Sequence, residues 1–297
     1  MRKFWRARLI NFLSVISTTF LFFHPTLAES RPKPHDQDSL VSFMRYQLLE
    51  GAKPMISAHR AGVSGNYPEN GLSSMYRVAD GGFQMIEVDV RSTADGKLVL
   101  LHDQSLDRTT TCRGRLKDRF YNELQQCRLI TPRGTITNDY VPTLRETLQW
   151  IRGRGILSID VKEGQFDEIA EMIAEEQAHG SAIVITYNLT DAKDIHRRHP
   201  DLVLSTSIRE SSDTSMIDTS LRSRLPAVWL GIGLPDQNLI RLATREGLVP
   251  MAATFRTADL GRGASFAEFL DLGVRILATN RPTTAMKAIQ NWTQTGS

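Results

Sequence analysis

The sequence lacks several features that mark common classes of protein. Its longest apolar run, residues 9–23, contains small polar residues and is shorter than the ~20 residues that a membrane-spanning helix needs. No glycine-rich fingerprint of a dinucleotide-binding site follows an early apolar run. No internal repeat is apparent. The sequence therefore argues against a spanning helix, a dinucleotide site of the usual kind and a repeat architecture.

Net charge is also small once the first segment is set aside. The 297 residues carry a formal charge of +3, and residues 1–28 contain four basic and no acidic residues. Subtracting these four charges leaves −1 for residues 29–297. Nucleic-acid binding requires a clustered basic face, which this balance does not indicate. We expect no nucleic-acid partner.

The first 28 residues have the pattern of an export signal. A basic start precedes the apolar run, and Thr26, Leu27 and Ala28 supply small or modest residues for a cleavage site after Ala28. An uncleaved membrane anchor is the alternative. We therefore expect a periplasmic or secreted protein with no stable membrane span after cleavage. Residues 29–38 predict a disordered lead-in, residues 39–50 a short helix, and residues 51–297 the main domain.

Cysteine is scarce, with only Cys112 and Cys127 in the chain. Both lie in one segment after His102, and an oxidising compartment favours a disulfide between them. The alternative is two unpaired thiols without a role.

Short apolar runs bounded by Gly, Pro or Asp alternate with helical patterns along the chain. The runs are residues 55–58, 85–90, 98–101, 156–161, 182–186, 202–205, 227–230, 249–252 and 274–278. The clearest helical patterns are residues 71–79, 144–152, 166–179, 238–246 and 265–272. This alternation predicts βαβ units and a parallel sheet, and the length suffices for an α/β barrel. An open doubly wound sheet is the alternative. Nine runs are one more than a (β/α)8 barrel needs, and the Asp-Gly turn signal after residue 90 leaves the local geometry open.

Imidazole and charged side chains stand at the ends of several runs. His59 and Arg60 follow the first run, Glu87 and Asp89 lie near the end of the second, and His102 follows the third. Barrel enzymes place their chemistry at strand ends. Two imidazoles with a carboxylate pair suit metal-assisted acid/base catalysis on a phosphate ester.

The fourth run adds a further carboxylate and a cation. Asp160 and Lys162 share one face of their strand, as Glu87 and Asp89 do, because side chains alternate along a strand. Oxygen ligands without cysteine favour Mg²⁺ or Ca²⁺ over zinc. Lys162 is suited to neutralise phosphate charge, and the planar fork of Arg60 is suited to bind it.

Each of these features also has a structural interpretation when it is taken alone. A lone histidine at a strand end is more often structural, a Glu-x-Asp pair can be a solvated face, and an Asp-x-Lys pair can be a local ion pair. His179, His196 and His199 lie on or after predicted helices, and we interpret them as surface residues. The combination in one chain favours catalysis.

Several motifs occur in a fixed order around these residues. They are HRAG at 59–62, PEN at 68–70, EVDV at 87–90, TADG at 93–96, HD at 102–103, LDRTT at 106–110 and PTL at 142–144. With these motifs the chain resembles the glycerophosphodiester phosphodiesterase family from about residue 55 to residue 282. The resemblance implies a somewhat distorted (β/α)8 TIM-type barrel, one divalent cation, and hydrolysis of small-molecule glycerophosphodiesters to sn-glycerol 3-phosphate and an alcohol.

The resemblance also implies roles for individual residues. Carried over residue by residue, they are the catalytic acid/base pair His59 and His102, the phosphate-binding Arg60 and Lys162, and the metal ligands Glu87, Asp89 and Asp160. The pattern sets neither the choice between Mg²⁺ and Ca²⁺ nor an oligomeric state.

Three positions depart from the family pattern. Asp160 stands where the family usually has Glu, Asn280 replaces the Asp of a late Thr-Asp-Arg-Pro motif, and Ala253 replaces a tryptophan, which removes an aromatic wall. These changes keep two alternatives open. One is a phosphodiesterase acting on lysophospholipids or another phosphodiester, and the other is a catalytically degenerate binding protein of the same fold.

Overall fold

Eight parallel strands close into a barrel in the computed structural model, which describes residues 34–294. The predicted signal segment, residues 1–28, lies outside the described residues. All nine predicted runs form strands, within about two residues of their expected bounds. The strands are β1 (Met55–Ala58), β2 (Met85–Ser92), β3 (Leu98–Leu100), β4 (Ile156–Val161), β5 (Ala182–Thr186), β6 (Val203–Ser207), β7 (Ala227–Ile232), β8 (Val249–Ala253) and β9 (Ile276–Thr279).

The order of the strands distinguishes the barrel from an open sheet. Going round, it is β1-β9-β8-β7-β6-β5-β4-β2, and a β1–β2 pairing closes the ring. The remaining strand, β3, pairs antiparallel with β2 and lies outside the ring. The extra run is thus the second arm of a hairpin, because the Asp-Gly turn after Ser92 reverses the chain. The predicted (β/α)8 barrel is confirmed, and the open-sheet alternative is wrong.

Helices surround the barrel, and all five clear helical patterns are present. The α-helices within residues 34–294 are α1 (Gln37–Arg45), α2 (Leu72–Asp80), α3 (Tyr121–Leu124), α4 (Leu144–Ile151), α5 (Phe166–Glu175), α6 (Leu189–Arg198), α7 (Ser211–Ser215), α8 (Thr219–Arg224), α9 (Gln237–Arg245), α10 (Phe266–Leu272) and α11 (Pro282–Gln294). None of the helices in this part of the chain is long and apolar enough to cross a bilayer.

Helix α4 illustrates how the sequence sets these elements. Thr143 caps its first turn through a reciprocal pair of bonds with Glu146. Leu144, Leu148 and Ile151 then recur at helical spacing and are fully buried against the barrel. The same division holds around the ring, so one large core lies between the strands and the helices.

Helix α1 closes the amino-terminal end of the barrel. It begins at Gln37, two residues before the predicted start, because the carboxylate of Asp36 accepts a 2.8 Å bond from the backbone N–H of Ser39. Its buried residues Leu40 and Met44 pack against the first inward-facing residue of nearly every strand. The barrel is therefore sealed at this end.

A long insertion separates β3 from α4. Its own small apolar cluster includes Leu106, Leu116 and Leu129. The predicted disulfide between Cys112 and Cys127 is present, with 5.4 Å between the Cα atoms. Disulfide and cluster together hold the insertion beside the carboxyl end of β2.

Candidate active site

Three carboxylates meet at the carboxyl end of the barrel. The register of the parallel pair β2–β4 sets Asp89 beside Asp160, and Glu87 lies one inward-facing position below. Carboxylate oxygens of all three lie within 4.8 Å of one another. Glu87 and Asp89 are buried, so the cluster is a concentration of negative charge shielded from water.

Burial and repulsion act differently on these acids. Burial raises the pKa of Glu87 well above its usual value, and the neighbouring carboxylates of Asp89 and Asp160 raise it further. Burial also favours a raised pKa for Asp89, but the Lys162 ammonium and the Asn70 amide outweigh it and hold that pKa below normal. Positive charge close to Glu87 would therefore stabilise its ionised form.

Lys162 supplies part of that charge. Its Nζ lies 2.9 Å from Asp89 Oδ1 and 2.5 Å from Asp160 Oδ2. Desolvation opposes the ammonium, but the two carboxylates raise the pKa of Lys162 above its ordinary value. The hydroxyl of Tyr187 donates to the other oxygen of Asp160. Asp160 is thus held from both sides.

The donor set fits a divalent cation. It offers three carboxylates and no thiolate or imidazole in the cluster itself, and hard cations such as Mg²⁺ and Ca²⁺ prefer oxygen ligands. Burial, and after it the neighbouring carboxylates, raise the pKa of Glu87, and a bound cation would offset both effects. Glu87, Asp89 and Asp160 are the residues that would bind such a cation.

Arg60 lies beside the carboxylates in an unusual backbone conformation. Its φ is 50°, followed by 61° at Ala61 and 72° at Gly62, and such left-handed residues cost about 1–3 kcal/mol for non-glycine side chains. The turn aims the Arg60 N–H at Glu87 Oε2, 2.7 Å away. The Arg60 side chain bonds to Glu69 Oε2 at 3.2 Å. This tight turn explains why the motif ends in glycine.

Asn70 connects the same turn to the carboxylates. Its side-chain amide donates to Asp89 Oδ2 at 2.7 Å and accepts from the Asp89 N–H at 3.1 Å. Its own N–H donates to the Arg60 carbonyl at 3.0 Å. The PEN motif therefore positions both a cationic side chain and a carboxylate.

His59 lies at the end of β1 against the cavity. Its Nδ1 is 2.8 Å from Asn280 Oδ1, and its Nε2 is 3.9 Å from Glu87 Oε2. The ring stacks on Phe255 with 4.1 Å between the centroids. Burial lowers the pKa of His59, and the Asn280 bond only partly opposes this effect. The neutral imidazole is therefore favoured.

A buried carboxylate holds the partner of His59. Asp259 accepts hydrogen bonds from the hydroxyls of Thr254 and Thr279, at 2.6 and 2.5 Å, and from the Asn280 N–H, at 2.7 Å. These bonds fix Asn280 so that its amide oxygen faces the imidazole. Where the family motif has an Asp at position 280, this chain therefore has Asn280 in contact with the His59 ring and the Asp259 carboxylate behind it.

His102 has a different partner. Its Nδ1 lies 2.7 Å from Asp103 Oδ1, and the other oxygen of Asp103 accepts a 2.6 Å bond from Arg108 Nε. The same guanidinium binds both oxygens of Glu69 at 2.7 Å. The bond from Arg108, followed by that from His102, holds the pKa of Asp103 well below its usual range. Arg108 therefore joins the insertion to the Arg60 side of the site.

A cavity of about 120 Å³ lies among these residues. It is lined by Ser57, His59, Glu87, Ser158, Asp160, Ile185, Tyr187, Ser207, Trp229, Met251, Phe255 and Ala278. The expected loss of an aromatic wall at Ala253 is offset by Trp229 and Phe255, which reach the same space. Sequence reasoning missed these rings and Tyr187. The position of Tyr187 and Phe255 just beyond strand ends was a signal, whereas Trp229 lies within β7.

One expectation about the other histidines is wrong. His196 is buried, because it faces α8 from α6 and its Nε2 lies 2.9 Å from Ser220 Oγ. His179 and His199 are partly exposed, and His199 pairs with Asp167. None of the three lies among the residues that line the cavity.

Comparisons with known proteins agree with the motifs and the fold. The model of the glycerophosphoryl diester phosphodiesterase family matches residues 59–284. A glycerophosphodiester phosphodiesterase of Bacillus subtilis (strain 168) is 27% identical over 265 residues, which cover 79% of this chain and 86% of that protein.

Two solved structures extend this similarity. The crystal structure of a glycerophosphoryl diester phosphodiesterase from Parabacteroides distasonis matches with a TM-score of 0.80 and 26% identity, covering 87% of this chain and 93% of that one. An Oleispira antarctica phosphodiesterase, solved in complex with the product sn-glycerol-3-phosphate, matches with a TM-score of 0.66 and 20% identity over 80% of this chain and 97% of that one. The second likeness concerns the fold alone. Motifs, site and family match together lead to one conclusion: the chain belongs to the glycerophosphoryl diester phosphodiesterase family.

Proposed function

We propose that the protein hydrolyses glycerophosphodiesters to sn-glycerol 3-phosphate and an alcohol, with one divalent cation bound by Glu87, Asp89 and Asp160. The observation that carries the proposal is the cluster of three carboxylates in a barrel mouth that also contains two histidines. Membership of the family and the named relatives support the same reaction. Activity with Mg²⁺ compared with activity with Ca²⁺ distinguishes the two cations.

The two imidazoles differ in a way that suits two roles. A carboxylate accepts only, so the Nδ1 of His102 carries a proton, and the partner of this ring is the negatively charged Asp103. His59 instead faces an amide oxygen, its Nδ1–H donates there, and its Nε2 keeps a lone pair. We assign His59 as the base that takes a proton from the attacking water or substrate hydroxyl, and His102 as the acid that protonates the leaving alcohol.

The remaining residues bind and orient the phosphate. Arg60 and Lys162 lie on either side of the carboxylates and offer N–H donors to the nonbridging phosphate oxygens. Asp259 keeps His59 oriented through Asn280, and Arg108 keeps His102 oriented through Asp103. When bound, a divalent cation supplies charge that offsets the growing negative charge on the phosphoryl oxygens. One molecule of water is consumed, and the phosphate remains on the glycerol.

Release of sn-glycerol 3-phosphate tests the proposal. A chain from Glu29 to Ser297 is incubated with a panel of glycerophosphodiesters, with Mg²⁺ or Ca²⁺ and with a chelator. We expect cation-dependent release that falls by several orders of magnitude in His59→Ala and in His102→Ala. Near-normal activity of either variant would overturn the two-histidine assignment.

A histidine distant from the cavity provides the control for these substitutions. His199→Ala is expected to keep full activity. Absence of release with every head group and cation would favour lysophospholipid substrates first. If these also fail, a degenerate binding protein of the same fold would be the better interpretation.

A further inference from the structure

Apolar side chains collect on one side of the barrel mouth. Nine large apolar side chains are exposed among residues 34–294, and five of them lie at the carboxyl ends of four neighbouring strands, β5 to β8, or on the segments that follow these strands. One is Tyr187, which lines the cavity. The other four, which we call the apolar rim, are Met216, Ile232, Leu234 and Leu260. Single exposed apolar residues are ordinary, whereas a group around a binding site marks an interaction surface.

The topology brings the rim together. β6, β7 and β8 are adjacent in the barrel, so the loops that follow them are neighbours. The loops after β7 and β8 start side by side, because the Gly233 N–H donates to the Ala253 carbonyl at 2.8 Å. Ile232, the last residue of β7, and Leu234, just beyond it, flank that bond, and Leu260 lies in the short turn after β8. The rim members are therefore 38% to 52% exposed on adjoining loops rather than scattered over the surface.

Arginines accompany the rim on the same loops. Arg209 follows β6, and Arg256 and Arg262 follow β8; all three are exposed. Within the described part of the chain, no carboxylate forms an ion pair with any of the three side chains. Their charge is therefore open to an external anion.

Four acidic residues lie on the segments that follow β6 and β7. Asp213, Asp218 and Asp236 accept hydrogen bonds from backbone N–H groups at the starts of helices. Glu210 is the remaining exposed acid on the loop after β6. These acids keep their charge, so unpaired cations prevail on the loop after β8, where Arg256 and Arg262 flank Leu260 and the one carboxylate, Asp259, is buried.

The cavity is too small to hold the acyl chain of a lipid. It measures about 120 Å³ and ends at the sealed half of the barrel, so a long hydrocarbon chain does not fit inside. Apolar side chains flanked by arginine bind the boundary between the head groups and acyl chains of anionic lipid. An occupant of this chemistry would lie across the rim, with its head groups over the mouth.

We propose that the apolar rim docks the protein on an anionic lipid surface, with Arg209, Arg256 and Arg262 contacting the lipid phosphates. The mouth then faces the membrane, and phosphodiesters near that surface reach the carboxylates without crossing open solvent. Docking does not depend on hydrolysis, and the two are measured separately.

Vesicle binding tests the docking surface. A chain from Glu29 to Ser297, which omits the apolar N-terminal run and keeps the whole barrel, is mixed with vesicles of phosphatidylcholine alone or of phosphatidylcholine and phosphatidylglycerol in equal parts. We expect cosedimentation with the mixed vesicles. Leu234→Ser combined with Leu260→Ser is expected to weaken it on the order of tenfold. Replacing Arg256 and Arg262 by Gln is expected to cost about fivefold for each arginine.

The matched control is Leu49→Ser. Leu49 is 56% exposed, more than any rim residue, but it lies before β1 at the sealed end of the barrel. It is expected to bind vesicles like the wild type. No binding by the wild type, or equal losses in the control and the rim variant, would overturn the proposal. Rim variants should keep wild-type activity on a soluble glycerophosphodiester, so loss of docking and loss of hydrolysis remain distinguishable.

Discussion

Lys162 lies between two of the three clustered carboxylates and neutralises part of their charge. With its Nζ at 2.9 Å from Asp89 and 2.5 Å from Asp160, it occupies part of the space where a cation would be attracted. The ammonium and a divalent cation therefore oppose each other electrostatically, although both favour a bound phosphate.

Replacing Lys162 by Met separates these two effects. We expect Mg²⁺ or Ca²⁺ to bind at least about tenfold more tightly, because a unit charge at this distance is worth several kcal/mol at the dielectric of a protein surface. Activity should nevertheless fall, since a phosphate donor is lost. Calorimetric titration measures the binding, and Lys97→Met, which removes an exposed lysine, is the control. Unchanged or weaker cation binding would show that Lys162 does not compete.

Arg108 gives the site a dependence on acid. It holds the pKa of Asp103 below its usual range, and a carboxylate of this kind stabilises the fold above its unfolded pKa of about 3.9 and loses that effect as the pH falls toward the folded value. Arg108→Gln should therefore lower the thermal midpoint at pH 7 and flatten its fall on the acid side of about pH 4.

Thermal unfolding between neutral pH and pH 3 checks this expectation. Arg128→Gln is the matched control, since Arg128 lies in the same insertion but its side chain donates to a backbone carbonyl, that of Gln125, rather than to a carboxylate. If the acid branch of Arg108→Gln runs parallel to that of the wild type, Asp103 does not contribute to the pH dependence.

At this scale the sequence predicted residues that stand at strand ends within motifs. The register that sets Asp89 beside Asp160 follows from parallel pairing, so their meeting was foreseeable. Asp259 was not, because it lies in a loop and reaches His59 only through Asn280. An indirect contact of this kind, which passes through an intermediate residue, produces no recognisable motif or residue spacing in the sequence.

The stability of the insertion after β3 depends strongly on its disulfide. Its apolar cluster is small, and the bridge joins positions 15 residues apart. Such a closed loop is worth roughly 3 kcal/mol in the chain-entropy model. The insertion also carries His102 and Arg108, so its order and the geometry of the site are linked.

Replacing both cysteines by serine should therefore lower the free energy of unfolding by roughly 3 kcal/mol. Denaturant titration measures the loss, and wild-type protein under reductant should match the double variant. The denaturation midpoint of the double variant could instead stay unchanged while the backbone amides of His102 and Arg108 lose protection from hydrogen exchange. In that case the disulfide stabilises only the insertion.

The predictability of the elements depended on their hydrophobic pattern. Strands buried on both faces read as continuous apolar runs, and each of these was found. Helices α7 and α8 are short and polar, with few buried residues, so no periodic pattern marked them. The bounds of α1 shifted because the cap formed at Asp36, earlier than the apolar pattern suggested.

The whole chain carries a prediction about its compartment. We propose that residues 1–28 direct export and that the mature protein starts at Glu29. Expression of the full chain in a Gram-negative host, followed by N-terminal sequencing of the periplasmic fraction, should give that start. Replacing Ala28 by a bulky residue should slow the processing. A chain recovered with Met1 from the membrane fraction would favour the anchor instead.

The barrel is open at one end only, because α1 fills the other with Leu40, Val41 and Met44. A molecule that reaches the carboxylates has one route in and must use the same route out. Of the two products, the one that lies deeper, in the cavity of about 120 Å³, cannot diffuse away before the one nearer the mouth has left. Turnover in such a dead end is ordered, so the deeper product is the last to dissociate and competes directly with the next substrate molecule.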